Sequence, residues 1–342
     1  MRSAPAVALV LALAIGGAGC AAAGRSGADP LRGRTIVVDP GHGGTAATDS
    51  YRVGPGGERE EWIDLRVARI LRDLLEARGA RVLLTRDADI DVPLRARADL
   101  ARDSAADVFI SIHHNATADP AVNFPIVYYH GYASRNAAGV ALARHVAREL
   151  TRTLFADSVR PSVVSDHVIF AGSGTAVLRY SYGIPGVIGE ASFFTSPEEE
   201  RRLRDPAYNR REAEAWVLAL SAFFSEPVAA VLPIEGVRAL EVFRTAQEGE
   251  RMSEAAKRWR EDFEEGKRLV EEGRELGKAY ELLTRSARSF PDSPVAGKAH
   301  LLRAGVLEAQ WEVEAAAEAL RLGTEFYAGV VCNAAFIDRT HS

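Results

Sequence analysis

The chain has 342 residues, 47% hydrophobic and 26% charged, with a formal net charge of −5. That composition fits a folded protein with room for a catalytic domain and a smaller second one. Arginines are spread over helix faces without forming a basic patch, which excludes the usual nucleic-acid footprint, and two cysteines are too few for a thiolate zinc cluster, so any metal here rests on His and carboxylate.

Residues 1–20 have the layout of a secretory signal. Met1-Arg2 brings one positive charge, Ala6 to Ile15 is apolar, and small residues follow to Cys20, a stretch too short for a membrane-spanning helix. Gly17-Ala18-Gly19-Cys20 resembles a bacterial lipobox, although Gly17 stands where Leu is usual. Lipidation of Cys20 predicts a periplasmic, envelope-anchored protein that touches the membrane through its lipid only. The competing reading is cleavage near Ala21 to Ala23 and a soluble secreted protein. With Cys20 lipidated, Cys332 has no partner, so no disulfide is expected. Residues 21–33, small and Gly-rich, predict a flexible tether.

Residues 34–226 alternate between strand and helix. Thr35-Val38 predicts a strand that stops at Asp39-Pro40-Gly41 and delivers His42 between glycines, where backbone and ligand approach closely. Glu60 to Arg78 predicts a helix with one buried face, ending at Gly79. A strand at Arg81-Thr85 and a helix at Leu94-Ala105 follow. Asp107-Ile112 predicts a buried strand leading into His113-His114-Asn115. Further strands are expected at Pro125-Tyr129 and Gly186-Gly189, the latter running into Glu190, and helices at Asn136-Leu154 and Glu198-Phe224. This order predicts an α/β domain with a mainly parallel or mixed sheet covered by helices on both faces. Arg160 to Thr175, with Asp166-His167 and a Gly-rich turn, is expected to be a lid or a surface loop.

Pro227 to Pro233 is expected to be a linker. Residues 227–342 then carry helical periodicity without a strand. Tyr280 to Phe326 resembles a tetratricopeptide-type (TPR-like) helical hairpin, a module whose grooves bind protein partners; a helical appendage packed on the main domain is the alternative. Residues 332–342 carry no assignable signal.

His42, Glu60 and His113 fall at strand ends or a helix start, where parallel strands bring ligands together. Two histidines and a carboxylate with an open fourth position are a common hydrolytic zinc set. A further carboxylate is then needed as general base and acid, and Glu190 ends a buried strand where desolvation raises its pKa. Each position has a rival. Glu58 and Glu61 compete with Glu60, and His114 competes with His113, although strand alternation sends neighbouring side chains to opposite faces. Glu190 has an alternative role as an ion-pair partner of Arg179.

Taken in order, Val38-Asp39-Pro40-Gly41-His42-Gly43-Gly44, Glu60 with Leu65, Leu84-Thr85-Arg86 with Asp89, Leu94 with Arg97, Phe109 to Asn115, and Val177-Leu178-Arg179 followed by Ile184 to Glu190 resemble the zinc-dependent N-acetylmuramoyl-L-alanine amidases of the Amidase_3 type. Phe194, Ser196, Pro197 and Glu199 continue the likeness. The resemblance implies zinc held by His42, Glu60 and His113, with Glu190 as catalytic base. It also implies cleavage of the amide between N-acetylmuramic acid and the L-alanine of peptidoglycan stems, the glycines around His42 leaving room for that polymer. Two departures bear on substrate fit: Thr45-Ala-Ala-Thr-Asp49 replaces the usual Asp-x-Gly-Ala, and Ala191-Ser192-Phe193 stands where Gly-Phe is common. The alternatives are a zinc amidase or peptidase of the same fold acting on another amide, and a non-catalytic envelope scaffold working through its C-terminal helices.

Overall fold

The β-branched run after Arg34 forms strand β1 (Thr35–Pro40), whose Ile36, Val37 and Val38 have no exposed surface. Side chains buried on both faces mark a central strand of a parallel sheet. The protein is described by a computed structural model covering residues 28–47, 52–117, 119–170, 173–234 and 257–329. The expectations for the signal, Cys20, most of the tether, Asp49 and Cys332 lie outside the described residues.

Helix α1 (Glu60–Glu76) buries Ile63, Val67, Ala68, Leu71 and Leu75 along one stripe and stops before Gly79, which takes a φ of 85°. Strand β2 (Arg81–Leu84), helix α2 (Leu94–Asp103), strand β3 (Val108–Asn115), strand β4 (Ile126–Tyr129) and helix α3 (Ala137–Phe155) follow as the sequence predicts. Beyond them come strand β5 (Ser162–Ser165), the short helix α4 (Ala176–Tyr180), strand β6 (Gly186–Phe193), and helices α5 (Pro197–Leu203) and α6 (Pro206–Phe224).

The strands form one mixed sheet in the order β2-β1-β3-β6-β4-β5. β2, β1, β3 and β6 run parallel, whereas β4 runs antiparallel to β6 and parallel to β5. Helices α1, α3 and α6 cover one face, and α2 and α4 pack on the other.

Two expectations need correction. The Arg160–Thr175 segment is not a lid or a plain surface loop: it contains β5 and a turn of 3-10 helix that buries Asp166 and His167. The single helix expected at Glu198–Phe224 is broken in two. Pro206 has no N–H to continue α5, and the Asp205 side chain instead accepts from the Ala207 N–H and starts α6.

The C-terminal region forms two helical hairpins among its described residues, α7 (Trp259–Glu271) with α8 (Leu276–Ser289) and α9 (Ala296–Ala309) with α10 (Val313–Glu325). Trp259, Phe290, Ala296, Phe326 and Tyr327 share one apolar cluster with Phe124, Tyr128, Val164 and Phe193 of the sheet domain. Tyr128 donates to Asp292 (2.6 Å), and Tyr129 donates to the Glu325 carbonyl (2.9 Å). The chain beyond α10 runs beside the edge strand, with Ser165 N donating to Phe326 O (2.8 Å) and Gly329 N to Val163 O (3.3 Å). That pairing covers an edge otherwise open to other strands. No helix among the described residues is long and apolar enough to cross a membrane.

Candidate metal and catalytic site

The site begins with the turn after β1. His42, Gly43 and Gly44 have φ of 55°, 117° and 69°. Left-handed backbone is uncommon for a residue with a β-carbon and persists where its surroundings hold it. Here two buried guanidinium groups do so. Arg97 donates to the carbonyls of Pro40 (2.8 Å) and His42 (2.5 Å) and to Asp39 Oδ1 (2.9 Å). Arg86 donates to the carbonyls of Pro40 (3.0 Å), Gly41 (2.7 Å) and Glu61 (2.7 Å). Asp39 also accepts from Ser111 (2.6 Å) and Thr85. Every carbonyl from Pro40 to His42 therefore has a charged donor, which satisfies buried backbone that no strand or helix pairs.

The glycines of this turn serve internal packing. A β-carbon on Gly41 would stand 2.3 Å from the His113 ring, one on Gly43 2.4 Å from the Ile90 carbonyl, and one on Gly44 2.4 Å from Asp91 N. The space expected for an approaching polymer is filled by His113 and the segment from Ile90 to Asp91.

His42 Nε2 lies 3.1 Å and His113 Nδ1 3.0 Å from the same oxygen, Glu60 Oε1. The two imidazoles meet edge to face, with centroids 4.6 Å apart. Side-chain exposure is 22% for His42, 15% for His113 and 7% for Glu60, so the cluster opens to solvent on the imidazole side. Burial works against ionisation of Glu60, but His42 and His113 beside it outweigh that and hold its carboxyl well below the usual range. For His113 burial favours the neutral ring, while the Glu60 hydrogen bond and the Glu190 charge push its pKa up to about 9.

The rival residues have other partners. Glu61 is paired with Arg59 (2.6 Å), and Glu58 with Arg66 (2.8 Å) and Arg204 (3.5 Å). His114 turns to the opposite face and lies fully buried between Asp64 (2.9 Å) and Glu212 (3.0 Å), joining β3 to α1 and α6. Arg179 donates to the carbonyls of Ser173 and Gly174 and stacks on Tyr180.

Glu190 is the register partner of His113 on the neighbouring strand, so their side chains share a face, with Cα atoms about 5 Å apart. Its Oε2 is buried with no hydrogen-bond partner. Burial pushes its pKa up to about 8; His113 opposes that rise and Glu60 adds to it. Gly189 just before it is needed for packing, since a β-carbon there would stand 2.6 Å from the buried Trp216 ring.

In the sequence, Arg86 and Arg97 stand only as members of the motif series, with no role assigned, and the His114 clamp has no reading. A second signal for Arg97 is its place on the buried stripe of α2, with Ala98 and Ala101.

The donor set suits zinc. Two imidazoles converge on one carboxylate oxygen at 3.0 and 3.1 Å, near the roughly 3.3 Å between adjacent ligands of tetrahedral zinc, and the orphaned Glu190 oxygen lies in the neighbouring register.

Residues 36–222 match the profile of the Amidase_3 family, described as N-acetylmuramoyl-L-alanine amidase. The chain is 30% identical over 237 residues to the N-acetylmuramoyl-L-alanine amidase AmiC of Escherichia coli, covering 59% of this chain and 55% of AmiC. It thus spans about half the length of that relative. It is also 30% identical over 211 residues to the germination-specific N-acetylmuramoyl-L-alanine amidase of Bacillus subtilis, covering 58% of this chain and 82% of that one. Among solved structures it is similar to the amidase AmiC2 of Nostoc punctiforme, with 31% identity, a TM-score of 0.48, and 56% of this chain and 98% of that chain covered.

Proposed function

This chain belongs to the Amidase_3 family of N-acetylmuramoyl-L-alanine amidases, and from that premise we propose that it hydrolyses the amide joining N-acetylmuramic acid to the L-alanine of peptidoglycan stems. The observation that carries this reading is the convergence of His42 and His113 on one oxygen of Glu60, beside Glu190 in the adjacent register. His42, Glu60 and His113 would hold zinc. Bound there, zinc supplies Lewis acidity that polarises the scissile carbonyl and makes water more acidic.

Glu190 accepts a proton from the attacking water and passes it to the departing alanine nitrogen. Its raised pKa suits both halves of that transfer, and its unpartnered oxygen is free to take part. Arg86 and Arg97 hold the turn that presents His42, which spares the site a rearrangement on binding.

The same reading makes it a cell-envelope protein, with Cys20 as lipid anchor and the stretch from Ala21 as tether. The tether ends at the turn of residues 29–33, which packs on the domain through buried Leu31 and the Asp29–Arg78 pair rather than hanging free. Residues 34–226 form its catalytic unit. The C-terminal helices, TPR-like in their pairing, would dock a protein partner; the exposed Trp311 and Val313 at the turn between α9 and α10 support that role. Digesting purified sacculi with the zinc-loaded protein and identifying products by mass spectrometry tests the activity. Free stem peptides beginning with L-alanine are expected. Glycopeptides that keep their stems would sink the proposal and leave a zinc amidase acting on another bond.

A further inference from the structure

A second cluster of metal-ligating side chains lies at the other end of the sheet. β4 runs antiparallel to β6, pairing Ile126 with Glu190 and Tyr129 with Val187, so His130 emerges at the end away from Glu190. The strand geometry puts the two more than about 10 Å apart. Asp166 and His167 follow the parallel neighbour β5 at the same end.

We propose that His130, Asp166 and His167 form a second zinc site, which fastens the ends of β4 and β5 to each other next to the C-terminal helices. The three residues are 6%, 0% and 1% exposed, and one ligand atom from each lies within 4.8 Å of the others. His130 Nδ1 stands 2.9 and 3.2 Å from the two Asp166 oxygens, and His167 Nε2 3.9 Å from Asp166 Oδ1. Those separations bracket the roughly 3.3 Å between adjacent ligands of tetrahedral zinc. Two imidazoles and a carboxylate are borderline donors that suit this ion better than calcium or magnesium.

The independent observation is His167. Both of its ring nitrogens are buried with no hydrogen-bond partner, a costly state that binding a cation through one of them relieves. The surroundings are fitted to the carboxylate. Thr175 donates to Asp166 Oδ2 through its N–H (2.7 Å) and its hydroxyl (2.8 Å), orienting it and leaving Oδ1 toward His167. Gly174 closes over the cluster: a β-carbon there would stand 2.6 Å from the Asp166 oxygens and 2.7 Å from His130 Nδ1. The His167 ring neighbours Phe326 (6.3 Å between centroids), whose carbonyl accepts from Ser165 N. A cation here therefore joins the ends of β4 and β5 beside the exit of α10.

The test is zinc stoichiometry of the full chain, measured by mass spectrometry after exhaustive dialysis, for the wild type, His113→Ala and His167→Ala. Two zinc ions per wild-type chain, falling to one in each variant, are expected. One ion lost only in His113→Ala overturns the second site and leaves the catalytic one. One ion lost only in His167→Ala supports the second site and overturns the catalytic assignment. If His167→Ala fails to fold, titrating cobalt(II) into metal-free His113→Ala replaces it. A ligand-field absorption band that saturates at one equivalent supports the site, and no band overturns it.

Discussion

At the scale of single residues, the guanidinium of Arg97 takes the place of water around the carbonyls of Pro40 and His42 and so keeps His42 in left-handed backbone. An ammonium cannot reproduce the fork that reaches Asp39 and two carbonyls together. Arg97→Lys is expected to weaken zinc binding by about 10- to 100-fold, the usual cost of disturbing a group behind a metal ligand. Competition with a chelator measures it, and wild-type affinity would show that the turn holds itself. Gly41→Ala acts from the other side. Its methyl group would collide with the His113 ring, so loss of zinc with the circular dichroism spectrum retained is expected. His42, Glu60, His113 and Glu190 were legible in the sequence because each reads as a strand end or helix start within an ordered series of motifs, although β3 and β6 run on past His113 and Glu190. Arg97 stood in that series without a role: an arginine in a charged helix resembles a solvated one until the fold turns it inward.

Among the elements, the strands and helices with strong periodicity were legible, and β5 was not. Ser162-Val-Val-Ser165 is four residues long, too short for alternation to separate a strand from a loop, and its place is set by pairing with β4. In α9, His300 is buried, its Nδ1 3.1 Å from the Arg303 guanidinium and its ring against Tyr327. Burial and that neighbouring cation hold its pKa down to about 3. The unfolded chain takes up this proton near pH 6.5 and the folded chain does not until about pH 3. The stability this group supports is therefore complete above pH 6.5 and lost as the pH falls below it, at about 1.4 kcal/mol per unit. His300→Gln keeps an acceptor for Arg303 without titrating. Thermal melts between pH 7.5 and 5 are expected to fall less steeply for the variant, and parallel curves would contradict this.

For the whole molecule, the change of composition beyond Pro233 left open a TPR-like domain or a helical appendage packed on the main domain, and the core that helices and sheet share fits the appendage. Trp259, Phe290 and Phe326 look in sequence like residues internal to a hairpin, and only the fold sends them onto Phe124, Tyr128 and Phe193. Each large side chain buried there contributes about 1.5–3 kcal/mol. Several together match the roughly 5–15 kcal/mol that holds a domain folded. A chain ending at residue 234 is thus expected to melt well below the full-length protein or to aggregate; a monomer with an unchanged midpoint would contradict the shared core.

The proposed catalysis turns on zinc held by His42, Glu60 and His113 with the proton carried by Glu190. Its most direct test is the rate at which zinc-loaded wild type and Glu190→Gln release new L-alanine amino termini from purified sacculi, with zinc content measured on the same samples. Equal zinc and a loss of about 10²- to 10⁴-fold in rate for the variant are predicted. Equal rates, or no alanine termini from the wild type, would contradict it.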